Sequence, residues 1–166
     1  MSLVYNVAKA LIASGTVLWG QTPIRALLLD GTYVPDPDHA HIPDVTDPTP
    51  RYIEDPDHPG AFIPDPTWVE VHECGGAGYT GGFAASGRRF LSDFAVEQVG
   101  DVIRMTAGSL SWPALQVGTV SGICLVWQLE NDPASPLIAF LDGTVFPLET
   151  SGGDLNVSFG AGVLLL

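Results

Sequence analysis

The chain has 166 residues, 46% of them apolar and only 15% charged, with 19 acids against 6 bases and a net charge of −13. That is enough apolar residue to build the core of one domain. The shortage of cations excludes direct binding to a nucleic-acid backbone, which takes clustered Lys and Arg, and to an anionic membrane surface; a basic protein surface is the compatible partner.

In chain order, Val4, Val7, Ala8, Leu11 and Ile12 recur at helical spacing before Gly15, which predicts a short amphipathic N-terminal helix. Lys9 interrupts this stretch and no basic run precedes it, so a folded segment is expected rather than a secretory signal. Val17 to Trp19 reads as a brief strand, and Ile24 to Leu29 as a buried strand closed by Asp30-Gly31. From Val34 to Pro66 the composition changes, with nine prolines and eight acids. Proline fixes φ and removes a donor, so no helix or central strand is expected there. The segment reads as an extended, polyproline-like arm, 34–66, inserted in a single β-domain spanning 1–166. Within it Asp36-Pro37-Asp38-His39 recurs as Asp55-Pro56-Asp57-His58. Its apolar residues Ile42, Tyr52, Ile53, Phe62 and Ile63, followed by Trp68, are the expected interface anchors.

After the arm the pattern is β. Strands are predicted at Thr67 to Glu73, Arg88 to Gln98, Asp101 to Thr106, Thr119 to Leu129, Leu137 to Leu141, Thr144 to Leu148 and Asp154 to Phe159. Glycine-rich turns punctuate them, as at Gly75 to Gly82 and Gly152-Gly153. The expected fold is mainly β, an antiparallel β-sandwich or barrel carrying the short helix and the Pro/Asp-rich arm.

Each candidate for chemistry has a plainer counterpart. Gly76-Ala77-Gly78-Tyr79-Thr80-Gly81 spells G-x-G-x-x-G, yet no helical period follows, as a dinucleotide loop requires. His39-x-His41 and the arm's aspartates offer metal-type ligands, but without the spacing of an EF-hand. Cys74 and Cys124 fit no metal or redox motif and read as buried small hydrophobes. Ser109 and Ser111 lie in an apolar stretch with no base in reach of sequence. Trp19, Trp68, Trp112 and Trp127 read as core or interface anchors rather than a ligand platform. No catalytic, cofactor or metal residue is therefore named, and the expectation is a protein without enzymatic activity.

Several segments carry a family likeness. Tyr5-Asn6-Val7-Ala8-Lys9 opens the chain. Thr22-Pro23-Ile24-Arg25-Ala26-Leu27-Leu28-Leu29-Asp30 and Tyr33-Val34-Pro35-Asp36 follow, then Gly78-Tyr79-Thr80-Gly81-Gly82 and Ser111-Trp112-Pro113. Asn131 to Asp142 and Gly152-Gly153-Asp154 complete the series. In this order they resemble a family of small structural proteins of tailed bacteriophages; Thr46 to Pro66 departs from it as an insertion. The resemblance implies a virion component assembled in the host cytoplasm. Its expected role is capsid decoration (cement), with a tail or neck position as the alternative. The implied partners are the major capsid protein or other virion proteins, with self-association as a trimer or dimer, no direct nucleic-acid contact and no membrane. A reading of another class is a secreted carbohydrate- or metal-binding β-module.

Overall fold

The computed structural model describes residues 2–42, 52–54, 58, 62–64, 72–83, 85–143, 145–159, 162 and 164–165. The chain opens with β1 (Ser2–Val4) and α1 (Asn6–Ala13), followed by β2 (Ile24–Asp30). Two short strands, β3 (Tyr52–Glu54) and β4 (Phe62–Pro64), fall in the Pro/Asp-rich segment. The rest is β5 (Arg89–Phe90), β6 (Ala95–Val99), β7 (Val102–Thr106), β8 (Leu110–Leu115), β9 (Thr119–Trp127), β10 (Leu137–Leu141), β11 (Leu148–Glu149), β12 (Gly153–Val157) and β13 (Leu164–Leu165). Among the described residues the fold is mainly β with one short helix and antiparallel sheets, as the sequence predicts, and no barrel closes.

The principal sheet runs β1-β10-β9-β2-β5, with β11 also paired to β9. Its middle strands read as continuous apolar runs because both faces are buried. Ile24, Ala26 and Leu28 of β2 enter one core, with Ile123 and Leu125 of β9. Leu27 and Leu29 enter a second core on the other face, with Cys124 and Val126. The first core is completed by the β8–β12 ribbon through Leu110, Trp112, Leu115 and Leu155, and by Met105 of β7. The second is closed by Tyr5, Tyr33, Ile42 and Phe140. Each fully buried Leu or Ile contributes roughly 1.5–3 kcal/mol relative to exposure.

The helix forms where expected and stops at Gly15, whose φ of +70° suits a glycine C-cap; its N–H donates to the Ile12 carbonyl. Its faces are shared, with Ala8, Leu11 and Ile12 toward the first core and Val7 toward the second. Three strand predictions need correction. Val17 to Trp19 is a turn: the Thr22 hydroxyl accepts from the Leu18 N–H at 2.9 Å, and the Gln21 N–H donates to the Leu18 carbonyl. Arg88 to Gln98 is two strands, β5 and β6, broken at Asp93 with φ of +51°. In place of Thr144 to Leu148, pairing starts only at Leu148. The predicted strand at Thr67 to Glu73 lies largely outside the described residues, where only Glu73 is seen to bridge Leu29.

The first part of the arm returns to the chain's own body. The Leu137 N–H donates to the Ala40 carbonyl at 2.9 Å, the Ile42 N–H to the Ser135 carbonyl at 3.1 Å, and the Asn6 N–H to the Pro37 carbonyl at 2.9 Å. Further along, β3 and β4 pair with Ile53 opposite Ile63, joined to no other sheet.

Two substitutions test this account by urea denaturation. Leu28→Ala opens a cavity between the two layers of the first core and is expected to cost about 2–5 kcal/mol. Gly78→Ala is expected to cost more than Gly152→Ala. Both have left-handed φ (+82° and +92°), but an added Cβ at 78 meets the Ala114 carbonyl oxygen at 2.6 Å and that at 152 meets nothing within 4 Å. The latter should therefore lose only the left-handed penalty of about 1–2 kcal/mol.

Candidate interaction surface

Arg88, just before β5, makes four side-chain hydrogen bonds. Its Nε and Nη2 donate to Glu73 Oε1 and Oε2 at 2.8 and 2.6 Å, and its Nη1 and Nη2 donate to Asp132 Oδ1 and Oδ2 at 2.6 and 3.0 Å. The guanidinium is thus gripped by two bidentate carboxylates, the geometry its planar fork suits. The Arg88 and Glu73 side chains are 3% and 5% exposed and Asp132 is 21%. Burial pulls the Arg88 pKa down, but hydrogen bonds to Glu73 and then Asp132, with their charges, more than reverse it. Glu73 also accepts from the Tyr79 hydroxyl at 2.8 Å and the Gly82 N–H at 3.0 Å, so both its oxygens carry two donors. A carboxylate so occupied has no lone pair left to take a substrate proton; the cluster is a clamp.

The glycine-rich letters serve the same clamp. Gly76 and Tyr79 exchange backbone hydrogen bonds at 3.2 Å. Gly78 lies against the Pro113 and Ala114 carbonyls with no room for a Cβ. The buried Tyr79 hydroxyl accepts from the Leu28 N–H and donates to Glu73. Burial, then the Glu73 charge, raises its pKa well above the ordinary phenol value. The loop therefore binds its own β8 and β2, and among the described residues no helix follows it.

A second polar cluster lies over the other core. The Tyr5 and Tyr33 hydroxyls meet at 2.8 Å, and Tyr33 reaches His39 Nδ1 at 3.1 Å. His72 Nδ1 lies 2.8 Å from Thr32 Oγ1 and 3.3 Å from Asp30 Oδ1. The His41 backbone forms an isolated antiparallel bridge with Pro136. Among the described residues, no group of three or more His, Cys, Asp and Glu is arranged to hold a metal ion. No helix among them is long and apolar enough to cross a membrane. Cys74 and Cys124 are both buried and unbridged, in different cores. Burial first, then Asp30 and Glu73, pushes the Cys74 thiol up to about 12. Burial likewise lifts Cys124 to about 12.

Of the expected anchors, Ile42 is 1% exposed within the second core and is used by the chain itself. Tyr52 and Ile53 fall in β3 and Phe62 and Ile63 in β4, so the pairing of these strands brings them together; Trp68 lies outside the described residues. Trp112 is wholly buried and donates to the Gly87 carbonyl at 2.7 Å. Trp19 donates to the Thr106 carbonyl at 2.8 Å and stands edge-on to Phe94 at 5.2 Å, and Trp127 packs on the first core. These three are internal anchors.

What the surface presents is the β6–β7 hairpin. Every residue of β6 is exposed. Val96, Val99, Val102 and Ile103 are 54%, 48%, 39% and 38% exposed, on both faces of a two-stranded tip. The pairing runs in unbroken register from Ala95 opposite Thr106 to Val99 opposite Val102. Arg104 pairs with Glu97 across it at 2.7 Å. A separate cleft, lined by Ile123, Leu141, Phe146, Val157 and Phe159 among others, has no charged side chain in its described lining. Sequence alone places Val96 and Ile103 in strands; their exposure depends on what the rest of the chain leaves uncovered.

Two measurements probe the interior. Arg88→Met leaves Glu73 buried beside no cation and is expected to cost about 3–5 kcal/mol in urea unfolding. Arg104→Met at the half-exposed Glu97 pair is expected to cost under about 1 kcal/mol. With both thiols pushed up from 9.0 to about 12, native Cys74 and Cys124 should each react with Ellman's reagent roughly 10³-fold more slowly than in the guanidinium-unfolded chain, from thiolate fraction alone.

Comparison with family models, with curated proteins and with solved structures yields no match to this chain.

Proposed function

We propose that this chain is a non-catalytic structural subunit of a tailed-phage virion, a capsid decoration (cement) protein that stabilises the head by packing across capsid subunits. The observation that carries the packing role is the β6–β7 hairpin, which holds four large apolar residues out to solvent on an otherwise acidic body. The phage context rests on the sequence resemblance. The polar clusters agree with this reading, since Glu73, Arg88, Asp132 and Tyr79 spend their hydrogen bonds on one another. An acidic subunit meets a basic protein surface with favourable long-range steering. Repetition around a symmetric shell multiplies a modest interface by avidity.

The test is to purify particles, locate the chain by cryo-electron microscopy, and add back variants to shells stripped of it. Density on the outer capsid with the hairpin against shell subunits is the expected result. Val99→Thr with Val102→Gln, which sets no like charges opposite each other, should leave folding stability within about 1 kcal/mol, as two exposed substitutions do, while abolishing add-back. Density along the tail or at the neck replaces the cement role with the adaptor role, and absence from every particle overturns the virion reading.

A further inference from the structure

The described strands differ in how their open edges are protected. An exposed edge is a row of unpaired N–H and C=O groups, and proteins blunt it with short strands, proline, bulges or lysine. Here β5, β11 and β13 have two residues each, and β1, β3 and β4 have three. Strand β8 carries Pro113 and Ala114 with φ of +49°, and its partner β12 has a register shift after Gly153. Among the described residues, strand β6 has none of these four devices, and its one charged side chain, Glu97, is tied across the hairpin to Arg104. The strand is five residues long, ends the order β13-β7-β6, keeps perfect register with β7 and contains no lysine or proline.

Ladder geometry says which groups are on offer. Val99 and Val102 flank the two-residue Gly100-Asp101 loop, so they form the hydrogen-bonded closing pair. Alternation then turns the backbone groups of Ala95, Glu97 and Val99 toward β7, and those of Val96 and Gln98 outward. Water hydrates such a row in the free protein, and an extended chain can replace it with a ladder of backbone bonds. Asp93, Glu97 and Asp101, all exposed, lie along or beside it, with Arg104 as the one cation across the hairpin. A second copy, also at −13, would bring like charge to the same line.

We propose that the outer edge of β6 takes up an extended, cationic segment of a partner protein as an added antiparallel or parallel strand, bonded through Val96 and Gln98. The segment alternates apolar residues, which cover Val96 and Ile103 on one face or Val99 and Val102 on the other, with Lys or Arg set against the flanking acids. Backbone bonds supply the affinity and the side-chain alternation the specificity. The inference rests on the packing role proposed above and names the chemistry of its partner.

The test uses the full isotope-labelled chain and a synthetic decapeptide alternating lysine and valine, with a glutamate–valine peptide as control. The lysine peptide should shift amide signals centred on Ala95–Val99 and slow exchange at Val96 and Gln98, with binding weakened by salt. Gln98→Pro removes one outward N–H without touching the β7 ladder and should weaken binding about tenfold. Should that variant unfold, Asp93→Asn with Asp101→Asn tests the charge component and should weaken binding severalfold. Equal binding of the glutamate peptide, shifts centred elsewhere, or a concentration-dependent dimer through β6 without peptide would overturn the proposal. Because the assay needs no particle, strand addition and virion incorporation can fail separately.

Discussion

Arg88 stands where three stretches far apart in sequence meet: the segment around Glu73, the start of β5, and the turn containing Asp132. Two bidentate carboxylates around one guanidinium fix both distance and orientation, which apolar packing alone does not. A buried ion pair is weak as a source of stability, since desolvation offsets its attraction, but costly to break. Its effect here is registration. With Glu73 also holding Tyr79 and Gly82, the glycine-rich turn is pinned to β8, and the Tyr79 hydroxyl reaches Leu28 in the middle of the sheet.

The second constraint is that β2, β9 and β10 are apolar on both faces, so the sheet needs two covers. The β8–β12 ribbon and α1 supply one. The other is made of Tyr5, Tyr33 and Ile42, drawn from the N-terminus and the first part of the proline-rich segment. That is why residues 35–42 bond to Asn6, Ser135 and Leu137 rather than leave the body. Among the described residues, the apolar side chains that cover the two faces of the sheet do not reach the β6–β7 hairpin, whose valines stay exposed.

The predicted elements that hold are those whose pattern is strong over several residues. Ile24 to Leu29 and Leu137 to Leu141 are continuous apolar runs, and both are strands within one residue of the expected bounds. The predictions that fail do so at single residues. Asp93 at positive φ divides what alternation reads as one strand from Arg88 to Gln98. A local bond from Leu18 to the Thr22 hydroxyl turns Val17 to Trp19. Strands β1 and β13 are too short to register in any periodicity and exist because a partner strand is present. The expected anchors came from hydrophobicity within the arm, which cannot tell a residue that covers its own core from one that awaits another; Ile42 is the former.

By itself the sequence determined the acidic charge, the β class, and the helix with its glycine stop. These are properties of composition and of short-range periodicity, which the backbone reads locally. The tertiary structure alone decided that Glu73, Arg88 and Asp132 converge, that the proline-rich segment up to Ile42 bonds to the body, and that β6 ends its sheet among the described strands. Each of those depends on which distant segments pack against one another, and burial is a property of the whole chain rather than of any stretch of it.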